Sequence, residues 1–247
     1  MGELAKDRTI LKVTGSDRQS FLQGLVTNDV KRLDDGLVYA AMLSPQGKYL
    51  ADFLLVPFGD AILIDVKSDL AAGLLQRLSM YKLRADVQIE QADIAVSRGL
   101  DDAPEGGFAD PRHSALGWRA YGIEADEGST DWDAIRVTNG VPESGVELHG
   151  DSYILECDFE RLNGVDFRKG CYVGQEVTAR MKHKTELRKG LAMVTLDGPA
   201  EAGTEILADG KPAGILHTVS GNSALAYLRF DRANKPMTAG TATVTRA

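Results

Sequence analysis

Residues 168–184 read RKGCYVGQEVTARMKHK and form the stretch of the chain richest in charged and reactive side chains. Cys171 follows two cations and lies between two glycines, Gly170 and Gly174. Glycines permit unusual backbone dihedrals and let another group approach the main chain closely. The residues from Gln175 onward are compatible with a helix that ends in a basic run. The stretch is therefore compatible with a reactive thiol, an anion-binding loop or a well-capped helix.

Cys171 is the candidate functional residue of this stretch. If residues 175–184 form a helix, Cys171 lies just before its N-terminus, which carries about +0.5 elementary charge. Arg168 and Lys169 add to that field, and all three effects favour a thiolate over a thiol. We therefore predict a reactive Cys171, with a small buried cysteine as the alternative. Cys157 lies between two acids, so we interpret it as structural.

The charge of the chain is uneven. Its net charge is −8, which argues against a dedicated nucleic-acid-binding protein. Residues 168–189 carry seven Lys/Arg against two Glu, so this segment is +5 and the remainder −13. A cationic segment on an acidic protein suits a small anionic ligand or an acidic partner. A solvated helix face is the alternative.

Composition limits the class of protein. The 247 residues are 43% hydrophobic and 26% charged, as in ordinary globular proteins, and only two are cysteines. We therefore expect neither a disulfide scaffold nor a self-contained metal site. No apolar run approaches the ~20 residues of a membrane span. Residues 1–14 do not have the pattern of a secretory signal, so we predict a cytoplasmic protein without membrane association.

The pattern of apolar residues predicts an α+β fold. Residues 37–66 contain three β-like segments separated by turns, which predicts an antiparallel meander. A helix capped by Ser68 is expected to follow, and another helix over residues 131–139. After Lys189 only short strands and turn signals occur. We therefore place a domain boundary at residues 187/188 and predict a small antiparallel β-barrel over 188–247.

The motif Lys169-Gly-Cys-Tyr-Val-Gly-Gln-Glu176 resembles the signature of the YgfZ family. These folate-binding proteins are related to the T-protein, the aminomethyltransferase of the glycine cleavage system. Four further segments carry the same resemblance: 21–29, 43–52, 81–84 and 136–142. The resemblance implies two intertwined α+β units around a central channel, formed by residues 1–187, and a C-terminal β-barrel.

The resemblance also implies a function. It indicates a tetrahydrofolate-binding accessory protein that helps to assemble or repair iron–sulfur clusters, with Cys171 as the functional thiol. The expected partners are client enzymes or cluster-assembly proteins. Polar contacts to folate are expected from Asn28, Asp52 and Gln175 or Glu176, and contacts to its anionic tail from Arg84, Lys169 and Arg180. Capping is the alternative role for Asn28 and Gln175, and a structural ion pair for Arg84.

Two positions depart from the T-protein pattern. Ala51-Asp52 retains only one of two adjacent acids, which argues against aminomethyl transfer. Arg136-Val-Thr-Asn-Gly140 has Thr138 where T-proteins have a glutamate that binds the pterin. A folate-dependent one-carbon transferase and a non-catalytic interaction module remain as alternatives, so whether the chain is an enzyme stays open.

Overall fold

The computed structural model describes residues 2–184 and 186–247. The chain forms two compact units, and each takes two segments of the sequence. The first unit contains the residues up to Ser129 and Glu160–Val177, and the second contains Thr130–Phe159 and Thr178–Ala247. The predicted α+β fold class is confirmed.

A five-stranded antiparallel sheet is the centre of the first unit, in the order β3-β4-β5-β2-β6. Its strands are β2 (Arg8–Thr14), β3 (Val38–Leu43), β4 (Tyr49–Phe58), β5 (Ala61–Lys67) and β6 (Gln88–Ala92). The predicted meander is therefore confirmed as β3 to β5. The helices of this unit are α1 (Arg18–Gln23) and α2 (Ser68–Lys82), with a 3₁₀ helix at Val30–Asp34. Leu22 of α1 and Leu74 and Leu78 of α2 share one apolar core with the sheet.

A second sheet of the first unit has the strand order β1-β7-β9-β8. Its strands are β1 (Glu3–Leu4), β7 (Val96–Gly99), β8 (Phe108–Ala109) and β9 (Trp118–Tyr121). A short 3₁₀ helix, Ser114–Leu116, precedes β9. Strands β1, β8 and β9 were not predicted from the sequence, because strands of two to four residues show no usable periodicity.

The second unit contains a closed antiparallel barrel in the order β10-β13-β12-β11-β14-β15. Its strands are β10 (Lys189–Asp197), β11 (Glu205–Ala208), β12 (Lys211–Ser220), β13 (Ser223–Arg229), β14 (Met237–Ala239) and β15 (Ala242–Arg246). Closure pairs β10 with β15 and leaves no free sheet edge. The predicted C-terminal β-barrel is confirmed.

Helical segments complete the second unit. These are α3 (Trp132–Thr138) and a 3₁₀ helix at Ile154–Cys157. The side chain of Asp131 caps α3 by accepting from the backbone N–H of Ala134. Val137 of α3 packs with Leu191 and Leu225 of the barrel. The barrel therefore shares its apolar packing with residues that precede it by more than 50 positions.

Helix α4 (Gln175–Lys184) confirms the helix expected after Gly174. Its first turn belongs to the first unit and the rest to the second. None of the helices in the described ranges is both long and apolar enough for a bilayer crossing.

Candidate functional site

Cys171 is exposed on a loop that is anchored at both ends, the cysteine loop (residues 166–174). At its start, the backbone N–H of Asp166 donates to the carbonyl oxygen of Thr27 at 3.1 Å. A carboxylate oxygen of Asp166 accepts from the backbone N–H groups of Arg168 and Lys169, at 2.7 and 3.2 Å. At its end, Gly174 has φ +84°, and a Cβ there would lie 2.6 Å from the carbonyl oxygen of Ser44. The loop therefore presents the thiol of Cys171 from a fixed backbone.

Lys169 ties the cysteine loop to the end of α1. Its buried ammonium donates to the carbonyl oxygens of Gln23, Val26 and Asn28 at 2.7, 2.5 and 3.0 Å. It also lies 5.1 Å from the centre of the Tyr172 ring. Burial lowers the pKa of Lys169 to about 8. Because three backbone carbonyls take up its donors, we reassign Lys169 from a folate-tail contact to an anchor of the loop.

Asn28 and Asp52 are buried side chains that bind opposite ends of Tyr39, its backbone carbonyl and its hydroxyl. The amide of Asn28 donates to the carbonyl oxygens of Tyr39 and Asn163, at 2.8 and 2.6 Å. The hydroxyls of Tyr39 and Tyr49 donate to the two carboxylate oxygens of Asp52, at 2.9 and 2.6 Å. Burial first, and then the charge of Asp52, raise the pKa of Tyr39 well above its ordinary value. Asp52 thus accepts one hydrogen bond from each of two buried tyrosines.

A bulge in β4 brings Tyr49 to Asp52. Met42 pairs with Ala51, but the next residue, Leu43, pairs with Tyr49, so Leu50 is the additional residue. In a regular strand, positions 49 and 52 would point to opposite faces. The extra residue reverses that parity. Neither tyrosine was predicted from the sequence, where the only signal is the Ser-Pro-Gln-Gly turn (residues 44–47) that precedes the bulge.

The remaining predicted folate contacts lie outside this buried group. Gln175, Glu176 and Arg180 are on α4, and Glu176 and Arg180 are exposed. Arg84 is exposed beyond the end of α2. Within residues 2–184 and 186–247, no hydrogen bond or ion pair joins Arg84 to the cysteine loop. The structure therefore links Lys169 to the backbone of Asn28 and links Asn28 and Asp52 through Tyr39, and it leaves Arg84 apart from them.

The departure at Thr138 has a local explanation. The Thr138 hydroxyl donates to the carbonyl oxygen of Ala134, one turn earlier in α3, at 2.8 Å. The neighbouring Arg136 is buried and donates to Glu147 at 2.9 Å and to the Thr218 hydroxyl at 2.5 Å. In this chain the segment therefore binds α3 to the barrel within the second unit.

A cavity of about 420 Å³ lies in the second unit. It is lined by Glu156, Met181, Glu186, Leu187, Arg188, Lys189 and Arg229. Met181 and Leu187 supply apolar wall. Three cations outnumber the two glutamates of the lining by one charge, and Lys189 and Arg229 form ion pairs with Glu156 and Asp231. Arg188 is thus the cation of this lining best placed to meet an organic anion with an apolar body. Across the described residues, no group of three or more His, Cys, Asp or Glu side chains is arranged to hold a metal ion.

Comparison with known proteins assigns the family. A model described as the C-terminal β-barrel domain of CAF17 matches residues 188–247. The mitochondrial iron–sulfur cluster assembly factor IBA57 of Homo sapiens is 30% identical over 278 residues, covering 93% of this chain and 78% of that protein. The chain belongs to the IBA57 family of iron–sulfur cluster assembly factors.

Two further IBA57 proteins show the same likeness. Mitochondrial IBA57 of Mus musculus is 29% identical, with coverage of 93% of this chain and 78% of the mouse protein. The mitochondrial IBA57 homologue of Mycosarcoma maydis is 34% identical over 74% of this chain and 54% of the fungal protein. The resemblance found in the sequence was to the YgfZ family; the comparisons support its coarser content, a factor for iron–sulfur cluster assembly.

A solved structure confirms the T-protein-like fold. The crystal structure of the glycine cleavage system aminomethyltransferase T from Bartonella henselae matches with a TM-score of 0.81. The match covers 100% of this chain and 84% of that chain at 12% identity, so it shows the fold.

The predicted cytoplasmic location is wrong by these comparisons. The IBA57 proteins of mouse, human and Mycosarcoma maydis are all named as mitochondrial. The cytoplasmic prediction depended on the missing pattern of a secretory signal and of a membrane span. Neither feature distinguishes the cytoplasm from the inside of an organelle, which explains the error.

Proposed function

We propose that this chain assists the assembly or repair of iron–sulfur clusters in client enzymes, with Cys171 as its functional thiol. The observation that carries the proposal is an exposed cysteine on an anchored loop, in a member of the IBA57 family. Cysteine thiolates are the usual ligands of iron–sulfur clusters. One thiol supplies only part of a ligand set, so the partner is a cluster-assembly protein or client enzyme that supplies the remaining ligands.

The ligand that we propose for this chain is tetrahydrofolate. Its apolar middle and anionic glutamate tail suit the cavity of the second unit, where Met181 and Leu187 adjoin Arg188 and Lys189. Arg180, on the part of α4 that belongs to the second unit, remains a proposed contact. Asn28 and Lys169 are not included, because their donors bind backbone carbonyls. Bound folate would supply a polar ring and carboxylates to this region.

The one-carbon transferase is not proposed. Aminomethyl transfer needs a carboxylate that can act on the ligand, and Asp52 accepts hydrogen bonds from two buried tyrosines instead. The adjacent position is Ala51, so a second acid is missing there.

The role of the thiol is tested by expressing variants of the chain in cells that lack the native protein. We expect Cys171→Ala to fold normally yet fail to restore the activity of iron–sulfur enzymes. Cys157→Ala is the matched control, since Cys157 is buried, and it should restore activity wherever the protein accumulates to normal levels. Full restoration by Cys171→Ala would show that the thiol is not the working group.

Folate binding is tested by thermal unfolding. Tetrahydrofolate at 100 times its dissociation constant should stabilise the folded chain by about 2.7 kcal/mol if it binds only the folded state. The double variant Arg188→Glu, Lys189→Glu should lose most of this shift. Lys211→Glu changes an exposed charge elsewhere on the barrel, so tetrahydrofolate should stabilise this variant as much as the native chain. No shift in the native chain would remove folate from the proposal.

A further inference from the structure

The C-terminal end of α2 exposes apolar side chains to solvent. Met80, Tyr81 and Leu83 are 60%, 39% and 88% exposed. Together with Arg77, Lys82 and Arg84 they form the α2 patch (residues 77–84). Single exposed apolar residues are common, but a group of them rimmed by charge is typical of an interaction surface. The α2 patch therefore resembles a place where another molecule binds.

A cavity of about 150 Å³ opens at the α2 patch. It is lined by Met42, Ser44, Pro45, Leu50, Arg77, Met80 and Tyr81. This volume suits one apolar side chain of leucine or phenylalanine size rather than a whole cofactor. Deep insertion of one such anchor is the usual centre of a protein–protein interface.

The wall of this cavity is packed directly against the cysteine loop. Ser44 and Pro45 lie in the turn that joins β3 to β4. A Cβ at Gly174 would lie 2.6 Å from the Ser44 carbonyl oxygen, and a Cβ at Gly47 would lie 2.7 Å from the Cβ of Val177. The turn thus touches the end of the cysteine loop and the start of α4. A side chain bound in this cavity would therefore lie next to the cysteine loop.

Charge identifies the kind of partner. Residues 77–84 contain three cations and no acid, in a chain whose net charge is −8, so the remainder carries −11. A basic patch favours an acidic partner surface and disfavours pairing with the same patch of a second copy of the chain. Leu83 is a further sign of a binding surface. Its φ of +42° is strained for a leucine and would suit glycine better, and such strain is concentrated at functional sites.

We propose that the α2 patch docks an acidic segment of a partner protein, which inserts one apolar side chain into the cavity. The inference rests on the proposed function for its meaning, since it places the partner of the cluster reaction beside Cys171. Its physical content, a preference for acidic segments with an apolar anchor, does not depend on folate or on the thiol.

The test is selection of a random peptide library displayed on phage against the full chain. Enriched peptides should carry a leucine, phenylalanine or similar residue flanked by Asp and Glu. Their synthetic versions should bind at least about tenfold more weakly to Met80→Asp and to Arg77→Glu. Leu100→Asp alters a residue that is 51% exposed outside the patch and should leave binding unchanged. Circular dichroism would establish that each variant is folded.

A second variant, Leu83→Gly, tests the same surface with a change that is not expected to disturb folding. Leu83→Gly removes the exposed side chain and relieves its backbone, so it should fold and still bind the peptides more weakly. Selection of no peptides, of basic peptides, or of peptides that bind Met80→Asp as tightly as the native chain would overturn the proposal. Because the assay contains no cluster or folate, such a result would leave the Cys171→Ala and tetrahydrofolate tests standing.

Discussion

The two cysteines of this chain have opposite surroundings. Cys171 is exposed on the cysteine loop, whereas Cys157 is buried at the end of a 3₁₀ helix in the second unit. Burial first, and then the nearby acids Glu156 and Asp158, raise the pKa of Cys157 to about 12. A thiol reacts through its thiolate, so Cys157 is protected both by access and by protonation.

Alkylation of the native chain at pH 8 should therefore modify one thiol. We expect iodoacetamide to label Cys171 first, and to label Cys157 only after denaturant unfolds the second unit. Peptide mass spectrometry locates the label. The Cys171→Ala variant is the control and should remain almost unlabelled while folded. Labelling of Cys157 before Cys171 would contradict the assigned burial.

Lys169 shows what residue type alone does not reveal. Beside a cysteine and a glycine, its charge indicated a contact to an anionic ligand. In the structure its ammonium binds the carbonyls that follow α1, more than 140 positions earlier in the chain. A lysine that binds backbone oxygen and one that binds a carboxylate ligand look the same in sequence. Only the position of α1 relative to the loop distinguishes them.

At the scale of elements, the cysteine loop depends on the turn between β3 and β4. Gly174 requires both a positive φ and the absence of a side chain, since Ser44 is in the way. Gly170 has open space around it and no such dihedral. The two glycines of the opening motif therefore differ in what they allow.

Replacing the two glycines separates these roles. Gly174→Ala should lower the free energy of unfolding by about 1–3 kcal/mol, because of backbone strain and the contact with Ser44. It should also weaken restoration of iron–sulfur enzymes, since the cysteine loop must move. Gly170→Ala should change stability by no more than about 0.5 kcal/mol. Urea denaturation measures both; equal losses would mean that the loop is not anchored at Gly174.

The two sheets of the first unit are joined through a buried carboxylate. Asp65 of β5 forms ion pairs with Arg8 of β2 at 2.6 Å and with Arg119 of β9 at 3.1 Å. Tyr121 also donates to it at 2.9 Å. Burial raises the pKa of Asp65, but the two guanidinium groups outweigh burial, and the net shift is downward.

Asp65→Asn should cost about 3–5 kcal/mol near neutral pH, because two buried guanidinium groups lose their shared charge. With the folded pKa below the ordinary value, the contribution of Asp65 is complete above about pH 4 and is lost as pH falls through the folded value. The difference in free energy of unfolding between the native chain and Asp65→Asn should therefore become smaller as the pH falls below about 4. Asp7→Asn breaks a half-exposed pair with Lys67 and should cost less than about 1 kcal/mol. Urea denaturation between pH 3 and 7 measures both.

On the scale of the whole molecule, the barrel is less independent than its sequence boundary indicates. Glu147, from the segment before the barrel, accepts from the backbone N–H and the hydroxyl of Thr218 at 3.2 and 2.6 Å. Tyr227 donates to Glu156 at 2.5 Å. The compact unit accordingly includes Thr130–Phe159 as well as the barrel.

A fragment of residues 188–247 should therefore be less stable than the barrel within the full chain. It loses the contacts with Glu147 and Glu156 and exposes Leu191 and Leu225, which together are worth about 3 kcal/mol or more. Thermal unfolding followed by circular dichroism measures the difference. Thr218→Val in the full chain removes only the contact with Glu147, so its loss of stability should be smaller than that of the fragment. A fragment as stable as the full-length barrel would show that the earlier segment contributes nothing.

The sequence by itself determined the α+β class, the meander, the helix after Gly174, the barrel strands and the iron–sulfur relationship. These follow from local periodicity, from turn residues and from a motif of eight consecutive positions. Tertiary structure alone decided that Lys169 binds the backbone of Asn28, that a bulge at Leu50 brings Tyr49 to Asp52, and that α3 belongs with the barrel. Each of these depends on pairing between residues far apart in the chain, which local preferences do not encode. Cys171 needed both, because its motif marked the residue and the packing of Gly174 against Ser44 fixed its loop.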